Sequence, residues 1–305
     1  MDNKVAYVFP GQGSQWVGMG HDLYQSLPEA RAVFEEADSV LGFSLSQLCF
    51  AGREEILRQT VNAQPAVLAV SIAHLRAMPQ LCDEATLPAF VAGHSLGEYT
   101  ALAAAEVLDF AAALRLARER GHLMQQAGEK NPGGMAAIIG LDEAEVAQIC
   151  SRCGIEIANF NSPHQIVISG STELLCQAVE LARAAGARRV IPLEVSGAFH
   201  SYLMAEAVAG MSEVIGEFAF RDSLIPIVAN TIAQPVTSAL AIKSELLEQL
   251  RHPVQWQRSI EYMIGAGVET FIEVGPGRVL AGLIKQINRG IRAWSISDVN
   301  HPTKI

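Results

Sequence analysis

The stretch FVAGHSLGEYTALAAAEVL, residues 90–108, sets the architecture of this chain. A short apolar run, FVAG, ends at Gly93; a serine then stands between two glycines in the pattern G-x-S-x-G, and a helix-prone run follows. The glycines permit a sharp strand-to-helix turn that lifts the serine hydroxyl above the end of a sheet. Because strand and helix flank it in that order, Ser95 reads as a nucleophile in preference to a packing residue of a tight turn. The N–H of Leu96 then opens the helix, where backbone donors and the helix dipole favour a developing oxyanion.

Outward from this elbow, short apolar runs alternate with amphipathic helical patterns, which predicts an α/β fold with a mostly parallel sheet. Strands are expected at 5–9 and 88–92, and helices around 28–41, 65–78 and 108–127. The breaker NPGG at 131–134 changes the texture. The order β, α, β, β, α, β follows, with strands at 135–140, 155–159, 165–169 and 189–194 and helices at 142–152 and 172–185. That order is the ferredoxin-like one. The larger pattern resumes with strands at 225–229 and 270–274. The expected division is therefore a large subdomain in two parts, 1–128 and 198–305, with a small ferredoxin-like subdomain, 129–197, inserted between them.

Half of the 305 residues are hydrophobic and 18% are charged, an ordinary globular composition. The net charge of −10 argues against nucleic acid as a partner, since phosphate binding needs a basic face. Five cysteines without framework spacing suggest reduced thiols. No apolar run approaches the roughly 20 residues of a membrane span. A cytoplasmic protein that binds no membrane is the expectation.

A serine nucleophile needs a base, usually histidine. Of the eight histidines, His94 adjoins Ser95 but reads as packing, and the late pair His252 and His301 both precede proline in polar segments. His200 lies in VSGAFHSYLM, just beyond a predicted strand, in the kind of loop that carries catalytic groups. On its own it is as consistent with a structural role. FPGQGSQ at 9–15 fails as a dinucleotide fingerprint because Trp16 takes the third glycine position. It reads either as an ordinary turn or as a loop that supplies a second oxyanion donor.

On the helical wheel of 108–127, Phe110, Ala113, Leu114, Ala117, Gly121 and Met124 form an apolar stripe, and Arg120 falls inside it. A buried guanidinium needs an anion or several acceptors. The wheel leaves two readings, a structural salt bridge and a bidentate clamp for a substrate carboxylate, and favours the salt bridge. Cys150-Ser-Arg-Cys153 is a lone CxxC and reads as packing; EVGPGRVL at 273–280 reads as strand, turn and helix start.

Together, FPGQGSQ, GHSLGEY, RGHLMQ, GGMAAIIGL, NFNSPHQIVISG, VSGAFHSYLM, HPVQW and EVGPGRVL resemble, in order and over essentially the whole chain, the malonyl-CoA:acyl carrier protein transacylase family. The resemblance implies a hydrolase-like large subdomain with a ferredoxin-like insertion. It carries the nucleophile onto Ser95, the base onto His200, and the oxyanion donors onto the backbone N–H groups of Gln12 and Leu96. It implies that a backbone carbonyl, at Gln255 in HPVQW, orients the base. Substrate binding falls to Arg120, Met124 and Phe199, which replaces the salt-bridge reading of Arg120 with the clamp; the Phe199 ring resembles malonyl-selective members. The implied partners are malonyl-CoA and an acidic acyl carrier protein, with no metal or redox cofactor, in a monomer. Arg183, Arg188 and Arg189 are candidates for docking the carrier, with Lys285, Arg289 and Arg292 behind them. The alternatives are a stand-alone acyltransferase serving a polyketide synthase, a serine acyl hydrolase, and a non-catalytic interaction protein, and the last two give no reason for Arg120.

Overall fold

Among the residues that the computed structural model describes, 4–82 and 87–298, ten strands form two sheets. They are β1 (Lys4–Phe9), β2 (Phe90–Gly93), β3 (Gly133–Ile139), β4 (Glu156–Ser162), β5 (Gln165–Ser171), β6 (Arg189–Pro192), β7 (Ile227–Val228), β8 (Pro235–Val236), β9 (Val268–Glu273) and β10 (Arg292–Ser295). The large sheet has the order β10-β9-β1-β2-β7-β8 and is parallel except for the β7–β8 pair. The small sheet has the order β4-β5-β3-β6 and is antiparallel throughout. This is the α/β fold with a ferredoxin-like second sheet that the pattern predicts. All four small-sheet strands fall between residues 133 and 192, and on that ground we propose subdomain boundaries near 128/129 and 197/198.

The sequence of β1 shows why the large sheet is covered on both faces. Alternate strand residues point to opposite sides. Val5, Tyr7 and Phe9 join a core with the helices Pro28–Leu41, Thr60–Leu81 and Phe110–Lys130. Ala6 and Val8 join a second core with Trp256–Gly265 and Val279–Ile287. A strand buried on both faces reads as a continuous apolar run, which is what KVAYVF shows. Helix Thr60–Leu81 begins earlier than its pattern suggests, because Pro65 lies inside it. Proline removes the donor for the Val61 carbonyl, and Arg118 donates to that carbonyl at 3.4 Å.

The small sheet divides its faces in the same way. Ala136 and Ile138 of β3 pack under its two helices, Glu143–Cys153 and Thr172–Ala184. Met135 and Ala137 face the opposite way, onto a pocket shared with the large subdomain. Backbone bonds join the subdomains, with Phe160 N–H donating to the Val254 carbonyl and Val254 N–H to that of Ala158, both at 2.9 Å. Strands β8 and β10 carry no alternation strong enough to read from sequence, being two and four residues long.

The elbow after β2 is as tight as its glycines suggest. A Cβ at Gly93 would fall 1.8 Å from the Gly97 carbonyl carbon, and one at Gly97 would fall 2.0 Å from the Phe9 carbonyl oxygen. Neither neighbour is a side chain that can rotate away. Gly97→Ala is therefore expected to destabilise the fold at the upper end of the roughly 1–3 kcal/mol that overpacking costs. A thermal melt within a degree of wild type would show that the elbow has slack.

Candidate active site

Parallel pairing of β1, β2 and β7 gathers their carboxyl ends at one edge of the large sheet, the usual place for a site in this class of fold. Ser95 stands there with φ of 51°, and His200 with φ of 55°. Left-handed backbone at a non-glycine residue costs on the order of 1–3 kcal/mol and persists only where the surroundings impose it. Ser95 Oγ and His200 Nε2 are 2.8 Å apart. The turn that carries His200 is pinned by Ser201, which donates to the Ala198 carbonyl at 2.6 Å and accepts from Leu203 N–H at 3.3 Å.

The other ring nitrogen of His200 decides its tautomer. Nδ1 lies 2.7 Å from the Gln249 backbone carbonyl, which can only accept, so Nδ1 carries the proton and Nε2 is left to accept from the serine hydroxyl. The family resemblance points to Gln255 for this carbonyl, and the structure corrects it to Gln249. Gln255 donates its N–H to the Asn230 carbonyl at 2.8 Å, its side chain accepts from Arg258, and it opens helix Trp256–Gly265. Gln249 follows helix Ala239–Glu248. The last carbonyls of a helix have no intrahelical donor and carry its negative end, so the acceptor is available there. Burial, and next the charge of Arg120, lowers the His200 pKa from 6.5 to about 3. The imidazole is therefore neutral, and able to take a proton, across the physiological range.

Arg120 is 1% exposed and lies directly beside the serine. It donates to Gln64 Oε1 at 2.9 Å, Gln249 Oε1 at 2.9 Å and Ser95 Oγ at 3.1 Å. Its guanidinium carbon lies 5.1 Å from the centre of the Tyr99 ring. No carboxylate is ion-paired with it among the described residues. The salt bridge that the wheel favours is not what holds this arginine. Burial lowers its pKa, and amide oxygens supply only partial negative charge in return. The cation is anchored but not neutralised.

A pocket of about 250 Å³ opens over these groups. Gln12, Gln64, Met124 and Phe199 line it on one side and the small sheet on the other. The Ser95 N–H is occupied by Asn230 Oδ1 at 2.8 Å and so is not a free donor. Leu96 N–H stands at the start of helix Gly97–Ala104, where donors lack intrahelical acceptors. Gln12 borders the same pocket, and its side chain is drawn off to Thr60 Oγ1 at 3.1 Å.

The remaining candidates lie elsewhere. His94 contacts Asn161 Oδ1 at 2.8 Å and meets the Trp256 ring edge-on. His252 pairs with Glu248 and does not border the pocket, and His301 lies outside the described residues. Cys150 and Cys153 are free thiols buried in the small core. Arg183, Arg188, Arg189, Lys285, Arg289 and Arg292 are all exposed, and Arg183 pairs with Glu180 at 2.6 Å. The reading from residues missed Gln64, Glu98, Asn230, Gln249 and Glu273. A glutamine inside the apolar run AQPAVLAV was a signal for Gln64. Glu273, in EVGPGRVL, accepts from Leu280 N–H at 3.1 Å and Ala281 N–H at 2.8 Å, and so fixes the helix that borders the pocket.

Residues 6–299 match the family model described as acyl transferase domain. The chain is 45% identical over 301 residues to the malonyl CoA-acyl carrier protein transacylase of Bacillus subtilis (strain 168), covering 97% of this chain and 94% of that one. An acyl carrier protein S-malonyltransferase from Vibrio cholerae superposes with a TM-score of 0.91 at 42% identity, with 96% of each chain covered. A malonyl-transacylase solved in complex with its type II PKS acyl-carrier protein superposes at 0.93 with 40% identity, covering 97% of this chain and 98% of that one. Likeness of this extent, in sequence and in backbone, leaves one assignment: the chain belongs to the malonyl CoA-acyl carrier protein transacylase family.

Proposed function

We propose that the protein transfers the malonyl group of malonyl-CoA to the phosphopantetheine thiol of an acyl carrier protein, supplying extender units for fatty acid synthesis. The observation that carries this reading is Arg120, a buried cation that touches the nucleophile and is ion-paired with no carboxylate among the described residues. An acyl group ending in a carboxylate completes that environment, and the planar fork suits it. A plain serine hydrolase has no use for such a charge.

The chemistry follows from the hydrogen-bond directions. His200 Nε2 takes the Ser95 proton as Oγ attacks the thioester carbonyl. The oxyanion is received by the N–H groups of Gln12 and Leu96. Collapse expels the CoA thiolate, which the imidazolium protonates, and leaves a malonyl ester on Ser95. The carrier's thiol then gives its proton to His200, attacks the ester, and Ser95 leaves with the proton. The negative end of helix Ala239–Glu248 favours the transient imidazolium through the Gln249 carbonyl. Phe199, 5% exposed in the pocket wall, crowds the acyl group. Rejection of one extra methyl on this basis is worth only about 1–3 kcal/mol, so selectivity is graded.

Incubation with malonyl-CoA should add one malonyl group by intact mass, and Ser95→Ala should abolish it. Arg120→Ala should cut malonyl transfer by two orders of magnitude or more (roughly 3 kcal/mol at about 1.4 kcal/mol per decade) while relatively improving acetyl transfer. Equal losses for both acyl groups would overturn the clamp.

The low pKa of His200 makes a second test. A base whose pKa is about 3 stays deprotonated as pH falls through 6.5. The single-turnover acylation rate should therefore change by less than about twofold between about pH 7.5 and 5.5. A tenfold decline with an inflection near 6.5 would mean that the base is not the buried His200.

For the carrier, we propose Arg188 and Arg189 as docking residues, on the strength of their exposure at the edge of the small sheet. Reversing both charges should raise the KM for carrier protein and leave self-acylation by malonyl-CoA unchanged, and the effect should fade with added salt. Unchanged KM at low salt would place the docking surface elsewhere.

A further inference from the structure

We propose that Asn230 is a positioning residue for the nucleophile: its side-chain amide spans the strained elbow and holds Ser95 in the left-handed conformation that aims Oγ at His200. This rests on the reading of Ser95 as the nucleophile. β7 pairs with β2 in parallel, Ala92 opposite Val228, so the residues just past Val228 arrive beside the elbow. Asn230 is 1% exposed, and all its polar groups are engaged. Its Oδ1 accepts from Ser95 N–H at 2.8 Å, and its Nδ2 donates to the Gly93 carbonyl at 2.7 Å. The two contacts grip the chain on both sides of His94 and leave one possible orientation of the amide. The backbone of Asn230 is itself fixed, with its N–H donating to Glu98 Oε1 at 3.3 Å and its carbonyl accepting from Gln255 N–H at 2.8 Å.

The grip has a second consequence. Because Asn230 Oδ1 occupies the Ser95 N–H, that donor does not enter the oxyanion hole, which is left to its neighbours. Asn230 makes no hydrogen bond to Arg120 and does not itself line the pocket, which it meets only through Ser95. Its contribution therefore falls on the rate of attack and not on the choice of acyl group, the opposite signature to that of Arg120. Aspartate is the informative replacement. A protonated aspartic acid reproduces the amide, with its carbonyl facing Ser95 N–H and its O–H facing the Gly93 carbonyl. An ionised one sets two acceptors against each other. Its titratable neighbours are Glu98, on the helix after the elbow, and Glu245 of helix Ala239–Glu248, which accepts from Thr231. Burial raises the pKa of both and would raise that of an aspartate beside them, ionised Glu98 or Glu245 would oppose its ionisation further, and Arg120 beyond Gln249 favours it.

The test compares wild type, Asn230→Ala and Asn230→Asp in single-turnover acylation by malonyl-CoA and acetyl-CoA. It also follows labelling of Ser95 by a fluorophosphonate, which reports nucleophile activation without any acyl substrate. Asn230→Ala should slow acylation and labelling by about 100-fold, the scale of a misplaced reacting group, with KM and the malonyl-to-acetyl ratio changed by less than about threefold. Asn230→Asp should be slow at about pH 8 and recover as pH falls, a dependence absent from wild type. This arm stands even if the alanine variant does not fold. A folded alanine variant with wild-type labelling, a loss confined to KM, or an aspartate variant with the wild-type pH profile would overturn the proposal. Wild type that is labelled by the fluorophosphonate but takes no malonyl would count against the proposed function and not against this role of Asn230.

Discussion

A guanidinium that is almost fully buried beside a nucleophile must be solvated by the protein itself, and the arrangement of this site follows from how that is done. A carboxylate partner would neutralise Arg120 and leave nothing for a substrate to meet. With no partner at all, the desolvation of the charge would be uncompensated. Two glutamine side chains, Gln64 and Gln249, provide the intermediate solution with amide oxygens at 2.9 Å. Gln249 serves twice, because its backbone carbonyl also holds His200. The base and the clamp are thus referenced to a single residue, at the end of a helix with a free carbonyl to offer.

Beneath this layer, Glu98 accepts from Gln249 and from the Asn230 backbone, joining the residue that anchors Arg120 to the residue that grips the elbow. Burial, and next the neighbouring Glu245, holds its carboxyl well above the usual carboxylate range. Gln64, Gln249, Glu98 and Asn230 are all hydrogen-bonded within this network. Low dielectric strengthens such bonds and makes each loss expensive. Such a network keeps two non-glycine residues in left-handed backbone at once, and it ties Ser95 to His200 across 105 positions of chain.

The two sheets divide the work. The large one, buried on both faces, sets the elbow and the loops at its carboxyl edge. The small one turns alternate residues of β3, Met135 and Ala137, toward the pocket as its far wall. Bonds between β4 and Val254 hold the wall at a fixed distance from the serine.

The elbow at Ser95, the break at NPGG, the β-α-β-β-α-β order and the misplaced charge of Arg120 were determined by sequence alone. Each is a local pattern of a few residues, set by backbone sterics or by the period of a helix or strand. Ordered motifs along the chain added the family and, with it, His200. Which carbonyl orients that histidine was decided only by the tertiary structure. Gln249 closes one helix and Gln255 opens the next, and the residues around them do not show which lies against His200. The same holds for Asn230 and Glu98, since a polar residue in a turn or helix shows its role only through partners distant in sequence. Asn230 finds its partner in Ser95, 135 positions away. Contacts at that separation are specified by the pairing of β2 with β7 in the large sheet, and no short stretch of chain encodes them.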